Sequence, residues 1–534
     1  MALLVGGGLA VYGVTPSQAD HRGQPSDDRQ VRLLVLLTVD QFRFDYLTRF
    51  SESYDSGIAR LMRDGAVYLN AHLEHYPTVT ATGHTALGSG AMPSSSGIIG
   101  NDWFDRETGK SVTSVSDDRV TQLGGVSRTS SSPHRLQVTT LADELKITAR
   151  GRGATEIPRA IGVSLKDRSA ILPVGRSADG AYWYDSGTGE FVTSTYYVAA
   201  LPVWVRQFNE QRLGDTYAGR SWPFLMAPAT SRRLPARPGP ELSAAIYGSP
   251  FGNELLGRFA EAVLDGERLG QRDALDVLAV GFSSNDSVGH THGPDSPEVR
   301  AITLQTDHAI GALLAAIDKR VGLARTLIVF TSDHGVAPLP EFLAERRLPG
   351  GRLAQEDLFG PIRKALESRF GAGQWILGTA GTSPYLNHAL MAERGVNPVD
   401  ARAVAASAAA AVPQVARVYT RDQLLRGDVP ADAFSQRIVQ SYHPHRSGDL
   451  EVVLNPFWIR QKTGTTHGTP YPYDSHIPLI FLGNGVRAGR YSQHVALTDV
   501  APTLATRLGV SLPSGSAGKV LSDVLPLTTA APGR

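Results

Sequence analysis

Cysteine is absent from the 534-residue chain. Its absence excludes disulfides, thiolate metal ligands and thiol nucleophiles, and leaves any metal to His, Asp and Glu. Excess charge of either sign is missing too: 52 Lys and Arg stand against 51 Asp and Glu, a formal net charge of +1. With no run of basic residues, the chain has no electrostatic footprint for nucleic acid or an anionic membrane. Long apolar runs are also lacking. No segment offers about 18 consecutive apolar residues, so the sequence predicts no membrane span.

The apolar stretch Met1–Val14 is too short to cross a bilayer and is followed by Thr15-Pro16-Ser17-Gln18-Ala19, with small residues at Ser17 and Ala19. It resembles a signal peptide, residues 1–19, cleaved after Ala19, and predicts a periplasmic or secreted protein. No basic residues precede the stretch. That fits a start upstream of Met1, or a plain apolar tail; export is the reading carried forward. Residues 20–30 are polar and read as a mobile lead-in.

The chain exceeds the roughly 250–300 residues of a single core, so one large domain with insertions, or two domains, is expected. Short apolar runs read as buried strands of a parallel sheet: Leu33 to Val39, Leu275 to Phe282, Leu327 to Thr331, Val452 to Leu454 and Ile477 to Leu482. Helical patterns lie between them. The clearest is Pro297 to Val321, where Ile302, Ile310, Leu313, Leu314 and Ile317 share one face. This alternation predicts an α/β fold with a layered, mostly parallel central sheet and helices on both faces. The expected domain runs over residues 31–525, with an aromatic, Pro- and Gly-rich cap inserted at about 171–250 and a second insertion at about 340–450. Residues 526–534 read as a disordered tail.

Four segments end or follow predicted strands with metal-binding side chains: Asp40 after Leu36-Leu37-Thr38-Val39, Asp286 and His290 four residues apart, Asp333-His334-Gly335, and His467 flanked closely by Gly464 and Gly468. Open α/β sheets place ligands at such strand ends. Singly, each has an ordinary explanation as a cap, a turn or a packing residue. Together they supply three Asp and three His, enough for two metal sites with three protein ligands each. A further segment, Tyr76-Pro77-Thr78-Val79-Thr80-Ala81-Thr82-Gly83-His84, sets hydroxyls before a predicted helix whose N-terminal amides would hold an anion. A hydroxyl there needs a base or a metal to act as a nucleophile. The residues themselves do not choose among Thr78, Thr80 and Thr82.

The order Val39-Asp40, Thr80-x-x-Gly83-His84, Asp286-x-x-x-His290, Ser332-Asp333-His334-Gly335 and Thr466-His467-Gly468 resembles the metal and nucleophile set of the alkaline phosphatase superfamily. More narrowly, it resembles its monomeric bacterial phosphatases of the phosphate-irrepressible type, over residues 33 to about 510. The resemblance implies Thr80 as the phosphorylated nucleophile. It implies two zinc ions per chain: one on Asp40, Asp333 and His334 and shared with Thr80, the other on Asp286, His290 and His467. It does not exclude further Mg2+ or Ca2+. His292 and His476 match no family ligand. Asn101 matches a phosphoryl-oxygen donor. Lys166 and Arg168, placed on one side if their segment is extended, match a pair that meets the dianionic phosphate of a monoester. The implied activity is hydrolysis of small phosphate monoesters by a monomer through phosphothreonine. Two rivals follow: a phosphodiesterase or nucleotide pyrophosphatase of the same superfamily, and an inactive, metal-stabilised binding protein. A sulfatase would need a Cys or Ser in a Cys/Ser-x-Pro-x-Arg motif, which the chain lacks.

Overall fold

The computed structural model describes residues 30–127, 130–225 and 232–525. The expected signal peptide, nearly all of the lead-in and the tail after residue 525 lie outside the described residues. Leu33–Val39, Leu-Leu-Val-Leu-Leu-Thr-Val, is buried at every position. A strand apolar on both faces belongs in the middle of a sheet covered on both sides. It does lie there, parallel to Asp276–Phe282 on one side and to Thr326–Thr331 on the other. Across the sheet the order is Gly489–Tyr491, Ala66–His72, His476–Gly483, Thr326–Thr331, Leu33–Val39, Asp276–Phe282, Ala160–Ser164, Gly180–Asp185, Glu190–Ser194 and Gln122–Leu123. Five neighbouring strands, from Thr326–Thr331 to Gly180–Asp185, run parallel.

The two faces have separate cores. Leu33, Val35, Leu37 and Val39 pack with residues of the helices Pro250–Gly266 and Pro297–Arg320, whereas Leu34 and Leu36 pack with Leu141, Leu145, Val500 and Leu504 on the other side. This alternation follows the two-residue period of a strand. Helix Pro297–Arg320 starts as its sequence dictates: Pro297 occupies the first turn, and the Ser296 hydroxyl accepts from the Val299 N–H at 3.1 Å.

Two strand expectations need correction. His476–Gly483 is in the central sheet but antiparallel to both neighbours. Leu450–Leu454 is outside it, paired antiparallel with Val415–Thr420. A short buried apolar run looks the same whichever way its partner runs, so periodicity could not separate these cases. The aromatic run expected in an inserted cap is also part of the sheet. Tyr182 and Tyr184 lie on Gly180–Asp185 and join the core around Phe191 and Phe259. Beyond residue 340, helices Gln355–Phe370 and Pro398–Ala410 build a hydrophobic cluster of their own around Trp375, Leu450 and Val452.

Candidate active site

Because three of the parallel strands end side by side, the residues that follow them converge. Asp40 follows Leu33–Val39, and Asp333 and His334 follow Thr326–Thr331. Asp286 sits in the first turn of helix Ser284–His292, just beyond Asp276–Phe282, and one helical turn brings His290 Nε2 to 3.1 Å from its Oδ1. That helix is anchored from behind by Asn253, whose side chain accepts from the Ser284 N–H at 3.1 Å and donates to Asn285 Oδ1 at 2.6 Å. His467 comes from the loop ahead of His476–Gly483; its Nε2 is 3.6 Å from Asp286 Oδ1, and its ring stacks on His334 with centroids 3.5 Å apart. Gly464 admits this loop. It has φ 65°, and a Cβ there would lie 2.2 Å from the His290 carbonyl oxygen.

Each of the three imidazoles is fixed in the same way. Nδ1 lies 2.7 Å from the Thr465 carbonyl in His290, 2.8 Å from that of Thr78 in His467 and 2.9 Å from that of Gly335 in His334. A carbonyl oxygen only accepts, so each Nδ1 carries a proton and Nε2 is the atom left to ligate. In His290 burial is outweighed by the neighbouring Asp286 carboxylate, which raises the pKa and favours the imidazolium, whose Nε2–H then points at Asp286. All three Nε2 atoms face the carboxylates. Backbone-anchored imidazoles of this kind are what a divalent cation requires.

Thr80 opens helix Thr80–Ser89, which is buried along its whole length. The three candidate hydroxyls separate here. Thr78 donates to the Thr469 carbonyl at 2.8 Å, and Thr82 to those of Pro77 and Val79 at 2.8 and 2.9 Å. Thr80 Oγ1 instead faces the cluster, 3.5 Å from His334 Nε2. Asn101 is tied to the same helix start, its Oδ1 accepting from the Ala81 N–H at 2.9 Å, which leaves its Nδ2 as the remaining donor. The helix approaches the Asp333 strand end so closely that a Cβ on Gly83 would meet the Asp333 carbonyl oxygen at 2.3 Å. Gly83→Ala is therefore expected to destabilise the protein by about 1–3 kcal/mol, the usual range for overpacking, read as a lower urea midpoint with unchanged slope.

Of three buried carboxylates here, two pair with one ammonium. Lys166 Nζ is 2.6 Å from Asp40 Oδ2 and 2.6 Å from Asp286 Oδ2. Burial, with the neighbouring Asp333 charge, raises Asp40 to about 7 despite Lys166, and burial raises Asp333 to about 6. Asp286 goes the other way: burial is outweighed by Lys166 and His290, and its pKa falls well below the ordinary range. Burial also lowers His334 and His467, favouring the neutral, ligating form. Asp40 Oδ1, Asp333 Oδ2 and both nitrogens of the buried His84 have no hydrogen-bond partner among the described residues. Buried polar atoms without partners mark a place built for something else to bind.

The donor set fits metal ions. Ligand atoms of Asp286, His290 and His467 lie within 4.8 Å of one another, as do those of Asp40, Asp286 and His334. The second group differs from the expected one in holding Asp286 where Asp333 was expected, although Asp333 Oδ2 remains 3.4 Å from His334 Nε2. The expected extended placement of Lys166 and Arg168 needs correction: Asp167–Ile171 is a short helix, so Arg168 leaves the strand direction, its Nη1 3.9 Å from Asp167 Oδ1 and its Nε buried without a partner. His292 and His476 stand apart from the cluster, the first near Arg232 and Glu298, the second stacked between Phe44 and His72. Gln41 belongs to the site and was not anticipated. At φ 59° it turns its N–H to Asp333 Oδ1 at 3.2 Å and its Nε2 to Asp286 Oδ1 at 2.6 Å. Its only sequence signal was a polar residue directly after a strand-end carboxylate.

A layered α/β sheet carrying an Asp- and His-lined cluster beside a helix-start threonine defines a class, and the chain belongs to it: the type I phosphodiesterase / nucleotide pyrophosphatase family, within the alkaline phosphatase superfamily, whose family model matches residues 34–476. Among similar proteins, alkaline phosphatase PafA of Elizabethkingia meningoseptica is 34% identical over 522 residues, 92% of this chain and 94% of that protein. Alkaline phosphatase PhoV of Synechococcus elongatus is 34% identical over 543 residues, 94% of each chain. The crystal structure of wild-type PafA superposes with a TM-score of 0.86, covering 93% of this chain and 99% of that one.

Proposed function

We propose that this chain is an alkaline phosphatase that hydrolyses phosphate monoesters with Thr80 as nucleophile. One observation carries the reading: the Thr80 hydroxyl, at a buried helix start, lies 3.5 Å from His334 Nε2 at a cluster of three imidazoles and buried carboxylates. The relatives named alkaline phosphatases support the monoester class.

Two zinc ions would be held by Asp40, Asp333 and His334 on one side and by Asp286, His290 and His467 on the other. When bound, they supply Lewis-acid charge for the attacking and departing oxygens of an in-line displacement. Thr80 Oγ1 attacks phosphorus, the ester oxygen leaves on the opposite side, and the phosphoryl group is held on Thr80. Water then attacks from the vacated side and frees phosphate, with net retention at phosphorus. The helix-start amides, Asn101 Nδ2, Lys166 and Arg168 stabilise the equatorial oxygens, each such donor being worth on the order of 3 kcal/mol in the transition state. We further infer export, on the Met1–Val14 stretch and the small residues Ser17 and Ala19, and a monomer, on the likeness to monomeric phosphatases. Among the described residues no helix is long and apolar enough to cross a membrane.

The test compares an aryl phosphate with its methyl diester. The doubled cationic charge of Lys166 and Arg168 suits a dianion, so kcat/KM is expected to favour the monoester by about a hundredfold or more. A faster diester would reassign the chain to phosphodiesterase chemistry.

A further inference from the structure

A cavity of about 500 Å³ opens beside the cluster, and its composition is lopsided. It is lined by His290 and His467 but by none of Asp40, Asp333 and His334, and Asn101 stands at its edge. On the proposed mechanism, His290 and His467 mark the side on which the ester oxygen departs. The cavity therefore continues from the reacting centre in the direction of the leaving group. Its size lies within the roughly 300–1,000 Å³ of ligand pockets.

Its walls come from residues 76–102 and from the part of the chain beyond residue 340. Half-buried Trp458 lines it with Tyr76 and Tyr442, while Tyr385 is wholly buried with the Arg106 guanidinium over its ring. Glu451 is set among them, only 9% exposed. One of its oxygens, Oε2, accepts from the Ser383 hydroxyl. Among the described residues Oε1 has no hydrogen-bond partner, and no Lys, Arg or His forms an ion pair with this carboxyl. Arg460, which also lines the cavity, makes no ion pair with Glu451: its Nη1 donates to the Gly381 carbonyl, its guanidinium stacks over Phe359, and its Nε has no partner among the described residues. A buried carboxyl without a cation is costly, and Thr80 chemistry has no use for it.

We infer that this cavity is a leaving-group pocket selecting esters of planar, ring-bearing alcohols, with Glu451 receiving an N–H donor on the edge of the ring remote from phosphate. Aromatic walls favour a flat ring over a polyol. Burial raises the Glu451 carboxyl to about 7, so at alkaline pH it is ionised and accepts a hydrogen bond. The inference rests on the proposed monoesterase reading, and the assay separates the two.

Three substrates are compared in the metal-loaded enzyme: 4-carbamoylbenzyl phosphate, 4-acetylbenzyl phosphate and methyl phosphate. The two benzyl esters match in size and electron withdrawal and differ in carrying NH2 or CH3. Wild-type enzyme is expected to show kcat/KM about tenfold or more higher for the carbamoyl than for the acetyl ester. Glu451→Leu should bring that ratio close to one, and Glu451→Gln, which keeps an acceptor oxygen, should restore most of it. A wild-type ratio near one, or a ratio that survives Glu451→Leu, overturns the pocket. If Glu451→Leu fails to fold, Gln461→Trp fills the cavity mouth from an exposed position. It should then lower both benzyl esters at least about fivefold relative to methyl phosphate, and an unchanged ratio overturns the proposal. Should none of the three monoesters turn over, the monoesterase reading itself falls, a result distinct from any change in ratio.

Discussion

Thr80→Ala is expected to lower kcat for an aryl phosphate by about 10⁴-fold or more while the protein retains the metal content of the wild type. The asymmetry follows from the geometry. The Thr80 hydroxyl holds nothing in place: its oxygen lies 3.5 Å from His334 Nε2 and makes no other hydrogen bond among the described residues, whereas the hydroxyls of Thr78 and Thr82 hold backbone carbonyls. Thr78→Ala and Thr82→Ala should accordingly cost stability more than rate. Thr80→Ser, which restores the hydroxyl, should recover most of the turnover, and acid-quenched enzyme incubated with 32P-labelled substrate should carry label on wild type but none on Thr80→Ala. Metal-replete wild type with turnover as low as the alanine variant would mark the chain as a binding protein instead.

The second large effect is expected on metal removal. Dialysis against EDTA should reduce monoester turnover to roughly 1% or less, and Zn2+ should restore it better than Mg2+, because three imidazoles at borderline-soft sites suit zinc. Melting temperature should fall by several degrees at the same time. Asp40, Asp286 and Asp333 are all buried, and Lys166 pairs directly with only Asp40 and Asp286, so removing divalent charge leaves carboxylates under-compensated in a low-dielectric site. Activity that survives complete metal removal would sink the two-ion reading together with the roles given to all six ligands.

How much of this was legible depended on whether a signal was local. Leu33–Val39 declared both its strand and its central place, because seven apolar or small residues in succession leave no solvent face. Asp40, Asp333 and His334 were legible as strand-end residues. Strand direction was not, and His476–Gly483 shows why: its side chains meet the same two layers whether it runs up or down. Thr80 was indistinguishable from its neighbours until their hydroxyl partners were known: Thr82 bonds carbonyls a few residues back, but Thr78 bonds the Thr469 carbonyl, 391 residues on. Gln41 escaped notice because its role rests on a left-handed backbone turn that no composition rule assigns to glutamine. The Glu451 cavity is wholly a product of packing between distant segments.

The central position of Leu33–Val39 also has a consequence for biosynthesis. This strand is made well before the two strands that flank it, Asp276–Phe282 and Thr326–Thr331. At roughly 5–20 residues per second, an apolar segment with neither face covered waits on the order of 10–50 s for its first central neighbour. During that interval it is a ready template for pairing with another nascent chain. Yield in the cell should therefore depend on holdase chaperones acting on the early polypeptide, and refolding from denaturant should be slow and concentration-limited even where the finished enzyme is robust.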